Sequence, residues 1–379
     1  MSSLRVSYVI NDAAFFVSHR LQLALKVIEM GGEVCLIIGK NINKEIENEA
    51  IRELNKKNIK YYQCKFSQGI KNPILELIGL FQLIIILIKF NPTTIHSASS
   101  KANLMASIAC NFLKKTKLIL SISGLGTIFT GKVSFKKNLI QKIYKLLFRI
   151  SLKSINYEII FQNSDDYNVF KTIINFDKDK AKIICGSGID TKKLKPICKK
   201  TNNQKILLPA RMIYEKGIKE FVEASKLLKK RKIKVDFYLA GAIGSLNPSS
   251  IKKNIIDNWV KDGLVIYLGH QTDLNKMYED IDIVCLPSWR EGFPKVLIEA
   301  ASLGLPVITT DVPGCRDVVI NYKTGLIVPV QNSNKLAEAI KKLFENSKLR
   351  KKMGEKNRLL AEKKFDIEII VPQIVNLYK

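Results

Sequence analysis

The stretch Leu286-Pro-Ser-Trp-Arg-Glu-Gly-Phe-Pro-Lys-Val-Leu-Ile-Glu299 joins a short apolar run to the start of a helix. The apolar run at 281–286 is typical of a central parallel strand, because a strand buried on both faces is apolar throughout. Pro294 has a fixed φ and lacks an N–H, which suits the first turn of the helix that follows. The loop at 288–293 is therefore expected at the carboxyl edge of a parallel sheet, the edge where open α/β sheets bind ligands.

Two glutamates of this stretch are candidates for holding a sugar: Glu291 in the loop and Glu299 in the helix. A carboxylate accepts hydrogen bonds through two oxygens, so it can hold two adjacent hydroxyls of a ribose or a sugar ring. The alternative for Glu299 is an exposed helix residue with an ion-pair partner, which is the usual setting of a glutamate.

Strand-like apolar runs alternate with helical patterns along the whole chain, which predicts two doubly wound parallel α/β sheets. The predicted organisation is an N-terminal Rossmann-like domain over 1–188, a linker over 189–204, a second domain over 205–364 and a C-terminal helix over 365–379 that returns to the first domain. Two such sheets in tandem are expected to leave a cleft between them.

Composition narrows the class of protein. A chain of 379 residues with 46% hydrophobic and 25% charged residues is a folded protein of two domains rather than a disordered one. Its formal net charge of +28 favours nucleic acid, anionic substrates or an anionic membrane as partners. The seven cysteines show no Cys-x-x-Cys spacing, which indicates reduced thiols and a cytoplasmic protein without a zinc site. Residues 4–10 are typical of a strand rather than a signal peptide.

Two helical segments bear on membrane contact. Residues 73–90 are apolar but include Glu76, Gln82 and Lys89, so we predict a buried crossover helix, with contact between its apolar face and lipid as the alternative. Residues 132–154 combine apolar residues at helical spacing with many lysines. Such a helix suits an anionic membrane surface, at about 1 kcal/mol per basic residue, or equally an ordinary core helix with solvated lysines.

Three predicted strand-to-helix loops of the first domain carry candidate residues for the acceptor side. The first lacks a Gly-x-Gly-x-x-Gly motif, which disfavours a nicotinamide dehydrogenase. Histidines in such loops are candidate catalytic or phosphate-contacting groups, although a lone histidine is more often structural, and glycines there let backbone amides approach a ligand unless they only form a turn. The candidates are His19, Arg20, His96, Lys101, Gly124 and Gly126.

The second domain opens with a strand followed by Arg211, Lys216 and Gly217. Two cations beside a helix N-terminus can bind a diphosphate without a metal, because the helix dipole and the cations neutralise the leaving nucleotide. An isolated pair of surface cations is the alternative, and the two glutamates some 75 residues later argue against it.

Along nearly its whole length the chain resembles glycosyltransferase family 4 enzymes of the GT-B fold, in particular those that build bacterial capsule, O-antigen and lipid-linked oligosaccharides. The resemblance is carried by Phe15-Phe-Val-Ser-His-Arg20, His96-Ser-Ala-Ser-Ser-Lys101, Ser123-Gly-Leu-Gly126, Gly186-Ser-Gly-Ile-Asp190, Arg211 with Lys216-Gly217, Ser288-Trp-Arg-Glu-Gly-Phe-Pro294 with Glu299, and Pro313-Gly-Cys-Arg-Asp317.

The resemblance implies a retaining, metal-independent transfer from a nucleotide-sugar, with no cofactor. The roles that it implies are diphosphate binding by Arg211 and Lys216 at the helix start of Gly217, and ribose binding by Glu299. Glu291 is the implied catalytic carboxylate and binds the donor sugar's hydroxyls, assisted by the amides of Gly292 and Phe293. Arg20, Lys101, Gly124 and Gly126 are implied to bind the acceptor. Many family members carry a His-Asp pair where this chain has Ser121-Ile-Ser-Gly124. The catalytic histidine is therefore open between His19 and His96.

The predicted function is transfer of a hexose or N-acetylhexosamine from a UDP-sugar to a polyprenyl-diphosphate-linked saccharide, at the inner face of the bacterial cytoplasmic membrane. A GDP-mannose or other nucleotide-sugar donor is the nearer alternative. A basic nucleic-acid-binding protein is the distant one, and the absence of a recognition motif in the sequence disfavours nucleic acid as a partner.

Overall fold

The computed structural model describes residues 4–40, 43–67, 72–124, 135–196, 204–244, 247 and 249–379. The chain divides into an N-terminal unit, Met1–Ser187 with Ile370–Lys379, and a C-terminal unit, Gly188–Ile369. The predicted linker at 189–204 includes residues 197–203, which lie outside the described part of the chain.

The N-terminal unit is built on a seven-stranded sheet, in the spatial order β3-β2-β1-β4-β5-β6-β7, whose strands all run parallel. The strands are β1 (Arg5–Ile10), β2 (Glu33–Lys40), β3 (Tyr61–Ser67), β4 (Thr94–Ala98), β5 (Lys117–Ile122), β6 (Asn156–Phe161) and β7 (Ala181–Ile183). The helices are α1 (Ala13–His19), α2 (Leu21–Glu29), α3 (Lys44–Lys56), α4 (Pro73–Phe90), α5 (Ser100–Cys110), α6 (Phe135–Leu152) and α7 (Ser164–Ile173). Val9, Ile95 and Leu118 of the central strands are fully buried, as in sheets covered by helices on both faces.

The C-terminal unit has a six-stranded parallel sheet in the order β10-β9-β8-β11-β12-β13. Its strands are β8 (Lys205–Pro209), β9 (Asp236–Ala240), β10 (Ile266–Tyr267), β11 (Ile283–Leu286), β12 (Val307–Thr310) and β13 (Gly325–Val328). Its helices are α8 (Ile218–Lys230), α9 (Lys253–Lys261), α10 (Leu274–Tyr278), α11 (Lys295–Ser302), α12 (Cys315–Val318), α13 (Ser333–Glu345) and α14 (Ser347–Leu360), and α15 (Ile367–Val375) leads back to the N-terminal unit.

Both sheets reverse their strand order beside their first strand. β1 lies between β2 and β4, and β8 lies between β9 and β11. Where the order reverses, the connections leave the sheet toward opposite faces and open a crevice at the carboxyl ends of the strands. The residues after β8 and β11 border this crevice in the C-terminal unit. The predicted fold class, with two doubly wound parallel sheets, is confirmed.

The prediction that the apolar helix at 73–90 is buried is wrong for much of α4. Leu83 and Leu87 lie in the core, and Gly79 packs against the backbone of Lys65. In contrast, several large apolar side chains of α4 are exposed: Ile74, Leu75, Leu77, Ile78, Phe81, Ile85 and Ile88. By length and composition alone α4 could cross a membrane, a criterion that packed helices of soluble proteins also meet. Because the helix is apolar on every side, its sequence does not distinguish the packed side from the exposed one.

The end of the chain completes the interior of the N-terminal unit. After α15 a short helical turn, Asn376–Tyr378, brings Tyr378 beside β4. Thr94 Oγ1 donates to the backbone oxygen of Tyr378 at 3.0 Å, and the Tyr378 hydroxyl lies 2.6 Å from His96 Nδ1. The last residues therefore take part in the polar interior of this unit.

Cys35, Cys64, Cys110, Cys285 and Cys315 are buried free thiols. Cys35, Cys110 and Cys285 are buried in the cores, as their apolar sequence neighbours predict.

Candidate active site

Gly217 brings the turn before α8 against the end of β11. Its φ is +72°, and a Cβ at this position would lie 2.1 Å from the backbone oxygen of Pro287. Only glycine fits both the left-handed conformation and this close approach. The backbone of Trp289 adds a link by donating its N–H to the oxygen of Glu215 at 2.8 Å. The loops that follow β8 and β11 are thus joined at the crevice of the sheet.

Lys216 and Glu291 meet across the two joined loops. Lys216 Nζ donates to Glu291 Oε1 at 2.6 Å, and Ser288 Oγ donates to the same oxygen at 2.6 Å. Both members of the ion pair are largely buried, so the pair is less screened than a surface pair. A hydrogen bond in which both groups are charged is short and strong. The structure thereby brings together one predicted diphosphate ligand and one predicted sugar ligand.

The neighbouring strand and loop hold Glu291 in place. Thr310, at the end of β12, donates its hydroxyl to the backbone oxygen of Ser288. Gly314 has a φ of +80°, and a Cβ there would lie 2.5 Å from the backbone oxygen of Gly292. The loop that carries Glu291 is therefore packed against the β12–α12 connection through a second glycine.

The N-terminus of α8 provides a site for an anion. No side chain among the described residues caps its first turn, and Gly217 is its N-cap residue. The first backbone N–H groups of a helix lack intrahelical acceptors and carry partial positive charge. Arg211, in the same connection, is exposed. Together with Lys216 these groups can neutralise a diphosphate.

Glu299 is buried in the C-terminal unit, with 5% of its surface exposed. The Tyr278 hydroxyl donates to its Oε2 at 3.2 Å, and Lys295 Nζ lies 3.9 Å from its Oε1. Burial raises the pKa of this carboxyl, while Lys295 and the Tyr278 hydrogen bond act in the opposite direction. The alternative of an exposed helix glutamate is therefore wrong, although Glu299 does have Lys295 as an ion-pair partner. A buried carboxylate can bind a hydroxyl more strongly than one in water.

Phe293 anchors the start of α11. Its side chain is buried, and its ring contacts that of Phe365 edge to face, with 5.6 Å between the ring centroids. Pro294 is the N-cap residue of α11, one position before the predicted first turn. The Phe293 side chain is thus part of the packing, which leaves its backbone for the predicted ligand contact.

Arg20 lies between α1 and α2 in the interior of the N-terminal unit and is only 2% exposed. It donates from Nη1 to the backbone oxygen of His19 at 2.9 Å, and its Nε has no hydrogen-bond partner in the described ranges. Burial lowers the pKa of this guanidinium. His19 stacks on Phe15, with 4.4 Å between the ring centroids, and its Nδ1 lies 3.3 Å from the Phe15 oxygen.

His96 lies inside β4, and the expectation that it points to the rim of the sheet is wrong. It is fully buried, with Nδ1 against the Tyr378 hydroxyl and Nε2 2.7 Å from Ser121 Oγ. Burial, followed by the charge of Arg20, holds the pKa of the imidazole well below its usual range. His96 pairs in register with Tyr8 of β1 and Ile119 of β5, in the middle of those strands, which places it away from the rim.

The remaining acceptor-side candidates are less informative. Lys101 forms a partly buried ion pair with Glu76 of α4 at 2.6 Å. Gly124 has a φ of +103° after β5, as a glycine turn requires. Gly126 lies outside the described residues. In the described part of the chain no group of three or more His, Cys, Asp and Glu side chains could hold a metal ion.

The sequence assigns no role to several residues that build the site. Ser288, Trp289, Thr310 and Gly314 position Glu291 through contacts that join separate loops. The one signal in the sequence is the Pro-Gly pair at 313–314, which marks a turn.

Known proteins share both the sequence and the fold. Over 99% of the chain and 98% of its relative, the chain is 27% identical to the N,N'-diacetylbacillosaminyl-diphospho-undecaprenol alpha-1,3-N-acetylgalactosaminyltransferase of Campylobacter jejuni. It is 27% identical to the capsular polysaccharide biosynthesis glycosyltransferase CapM of Staphylococcus aureus, over 95% of the chain and 96% of that protein. It is 24% identical to the Escherichia coli UDP-Gal:alpha-D-GlcNAc-diphosphoundecaprenol alpha-1,3-galactosyltransferase, over 80% and 78%.

Solved structures of glycosyltransferases have the same architecture. A Rickettsia africae glycosyltransferase matches with a TM-score of 0.77 and 20% identity, over 100% of the chain and 98% of that protein. Anabaena HepE in complex with UDP-glucose matches with a TM-score of 0.77 and 16% identity, over 99% of each chain. With its two doubly wound units, the protein has the GT-B fold and is a glycosyltransferase.

Two family models identify the family more closely. The model of glycosyl transferase 4-like proteins matches residues 5–163, and that of glycosyl transferases group 1 matches residues 183–360. The chain belongs to glycosyltransferase family 4. Membership of this family overturns the distant alternative, based on charge alone, that the chain is a nucleic-acid-binding protein.

Proposed function

We propose that the protein transfers a hexose or N-acetylhexosamine from a UDP-sugar to a polyprenyl-diphosphate-linked saccharide during synthesis of a bacterial surface polysaccharide. The observation that carries the proposal is the Lys216–Glu291 contact at the crevice of the C-terminal sheet. It combines one cation suited to a diphosphate with one carboxylate suited to sugar hydroxyls.

The names of relatives support the substrate classes. The Campylobacter jejuni and Escherichia coli enzymes are named for diphospho-undecaprenol-linked saccharides, and the latter for UDP-galactose. HepE was solved with UDP-glucose. A UDP-sugar donor and a lipid-linked acceptor follow by analogy.

In the proposed donor complex, Arg211, Lys216 and the first amides of α8 bind the diphosphate. Their charge would stabilise the leaving nucleotide, so the reaction would proceed without a metal. Glu291, assisted by the backbone at Gly292 and Phe293, would accept hydrogen bonds from the donor sugar, and Glu299 from the ribose. We further propose that the anomeric configuration is retained.

On the acceptor side, Arg20, Lys101, Gly124 and Gly126 are proposed to shape the binding loops. His19 is the stronger proposal for a catalytic histidine because it is only partly buried, whereas His96 is fully buried. The buried charge of Arg20 would favour an anionic acceptor group nearby. The protein would act in the cytoplasm, at the inner face of the membrane that carries the polyprenyl acceptor.

A screen of nucleotide-sugars tests the donor and the metal requirement. The purified protein is heated with UDP-, GDP-, dTDP- or ADP-sugars, with and without EDTA, and sugar-nucleotide hydrolysis is followed in parallel. We expect one UDP-sugar to raise the melting temperature and to be hydrolysed slowly, irrespective of EDTA. A response to GDP-mannose alone would show that the donor is GDP-mannose rather than a UDP-sugar. Loss of activity in EDTA would contradict the metal-free mechanism.

Transfer is then measured to a polyprenyl-diphosphate-linked saccharide, and NMR of the product gives the configuration of the new bond. The same configuration as in the donor is expected. The double variant Arg211→Ala/Lys216→Ala should bind no UDP while keeping the wild-type circular dichroism spectrum. Exposed Lys351 and Lys352 of α14 provide the matched double-alanine control. Unchanged turnover in the Arg211/Lys216 variant would contradict the assignment.

A further inference from the structure

α4 and α6 lie on the same face of the N-terminal sheet. Both contact α5, which lies between them. Leu83 of α4, Ala106 of α5 and Phe148 of α6 belong to one hydrophobic core, so the three helices cover the same side of the sheet. No residue of α5 is exposed, whereas α4 and α6 both present an outer side to solvent.

The outer sides of α4 and α6 are strongly apolar. Phe81 of α4 is 65% exposed, and Leu146 and Ile150 of α6 are 59% and 61% exposed. We refer to the exposed apolar residues of the two helices as the α4–α6 face: Ile74, Leu75, Leu77, Ile78, Phe81, Ile85, Ile88, Leu139, Ile140, Ile143, Leu146, Leu147 and Ile150. Exposed apolar surface of this extent on one side of a folded unit indicates an interaction site.

The charge on this face is positive. The sequence of α6 contains lysines and an arginine and no acidic residue, and Lys142 and Arg149 are exposed. The only carboxylate in the sequence of α4 is Glu76, which is paired with Lys101. An occupant of the face must therefore be apolar and also carry negative charge at its surface.

We propose that the α4–α6 face docks the protein on an anionic lipid bilayer. The apolar side chains enter the boundary between headgroups and acyl chains, while the lysines of α6 contact the anionic headgroups. A second copy of the chain fits less well, because the same basic helix on both copies would repel its partner. The proposal deepens the proposed function by naming the surface that meets the membrane of the lipid-linked acceptor.

The topology connects this surface to the acceptor side. α4 follows β3 and α6 follows β5, so both helices begin at the edge where the parallel strands end. Gly124 follows β5 at that edge. A protein lying on the bilayer along α4 and α6 would keep this edge within reach of a diphosphate at the headgroup layer.

Sedimentation of the full-length protein with vesicles tests the docking surface. The vesicles contain phosphatidylcholine alone or phosphatidylcholine with phosphatidylglycerol. We expect binding to the anionic vesicles. Two triple variants remove apolar side chains from the face: Leu77→Gln/Phe81→Gln/Ile88→Gln on α4 and Leu139→Gln/Leu146→Gln/Ile150→Gln on α6. Each should weaken vesicle binding by about ten-fold or more, because less apolar surface is transferred from water into the bilayer. Lys142→Gln/Lys145→Gln should weaken binding to anionic vesicles only.

The control variants are Leu359→Gln and Lys351→Gln/Lys352→Gln on α14, whose side chains are exposed and belong to the C-terminal unit. They should bind vesicles like the parent. An unchanged melting temperature confirms that each variant is folded. Vesicle binding by both triple variants at parental strength would overturn the proposal. The proposal would also be overturned if the parent protein did not bind vesicles and light scattering showed a dimer that is absent in the α4 variant.

The readout separates docking from catalysis. Vesicle binding requires no donor, so it remains measurable if the proposed donor or acceptor is wrong. In a transfer assay, the docking variants should retain hydrolysis of the nucleotide-sugar and transfer to a short-chain, water-soluble acceptor. Their loss should be confined to the acceptor embedded in vesicles, and equal loss on both acceptors would contradict a docking role.

Discussion

At the scale of the residue, the proposed donor site depends on atoms that the sequence does not show to be neighbours. The sequence identifies Lys216, Gly217 and Glu291 as candidates by residue type and loop position. The 2.6 Å contact between Lys216 and Glu291 arises because two loops, after β8 and after β11, converge at one crevice. Likewise, the sequence predicts that Gly217 starts a helix. The structure shows in addition that Gly217 lies against the backbone of Pro287.

Gly217→Ala should destabilise the protein and weaken donor binding. A Cβ would meet the Pro287 oxygen at 2.1 Å, in addition to the strain of a φ of +72°. The left-handed conformation alone costs about 1–2 kcal/mol for a residue with a Cβ. Gly244→Ala is the matched control, because Gly244 has a φ of +84° with nothing within 4 Å. Thermal unfolding should show a larger drop for Gly217→Ala, and equal drops would contradict the close approach.

Lys216→Ala and Glu291→Gln should act non-additively on transfer. Each change removes one member of a contact, so the second change should cost less once the first is made. Each single variant should lower kcat/KM by roughly 100-fold, of the order found when one charged transition-state contact is removed. Lys216→Ala should also weaken UDP binding, measured by calorimetry, whereas Glu291→Gln should spare it. Strictly additive losses would indicate that the two residues act independently. Exposed Lys219 of α8, changed to Ala, is the control.

At the scale of the element, parallel strands were predictable because their apolar runs are short and continuous. The position of a side chain along a strand was harder to predict. His96 was expected at the rim but lies in the middle of β4, and its partner Tyr378 comes from the end of the chain. A hydrogen bond between residues so far apart in sequence leaves no local pattern to recognise.

The buried His96 should make stability depend on pH. Its pKa is well below the usual value in the folded protein because of burial and of the charge of Arg20, with Tyr8 and Tyr378 as the other titratable neighbours. The unfolded chain takes up a proton near pH 6.5, so the free energy of unfolding should fall below about pH 6.5, by up to about 1.4 kcal/mol per pH unit. His96→Asn should be less stable near neutral pH but lose less on acidification. Parallel urea curves for variant and parent would exclude this contribution.

At the scale of the whole molecule, two doubly wound sheets follow from the alternation of strands and helices, and the chain's charge of +28 is visible in its composition. Its spatial distribution is not visible. The exposure of α4 could not be predicted, because an apolar helix is ordinarily buried and only the fold shows which side lacks a covering element.

UDP should protect the two units unequally. The groups proposed to bind the diphosphate and ribose all belong to the C-terminal unit. Binding to the native state suppresses local opening of the segments that hold the ligand. Hydrogen exchange should therefore slow in the β8–α8 turn and the β11–α11 loop, with little change in the sheet of the N-terminal unit. Protection confined to the N-terminal sheet would reassign the nucleotide site.

The contact between Lys216 and Glu291 also bears on selectivity against common metabolites. Each side chain is the charged partner of the other, so inorganic phosphate gains little by displacing the carboxylate, and a free sugar gains little by displacing the ammonium group. A nucleotide-sugar offers phosphate oxygens to the lysine and hydroxyls to the glutamate at the same time. The Lys216–Glu291 ion pair would then open only for a molecule that carries both a phosphate and sugar hydroxyls at the correct spacing.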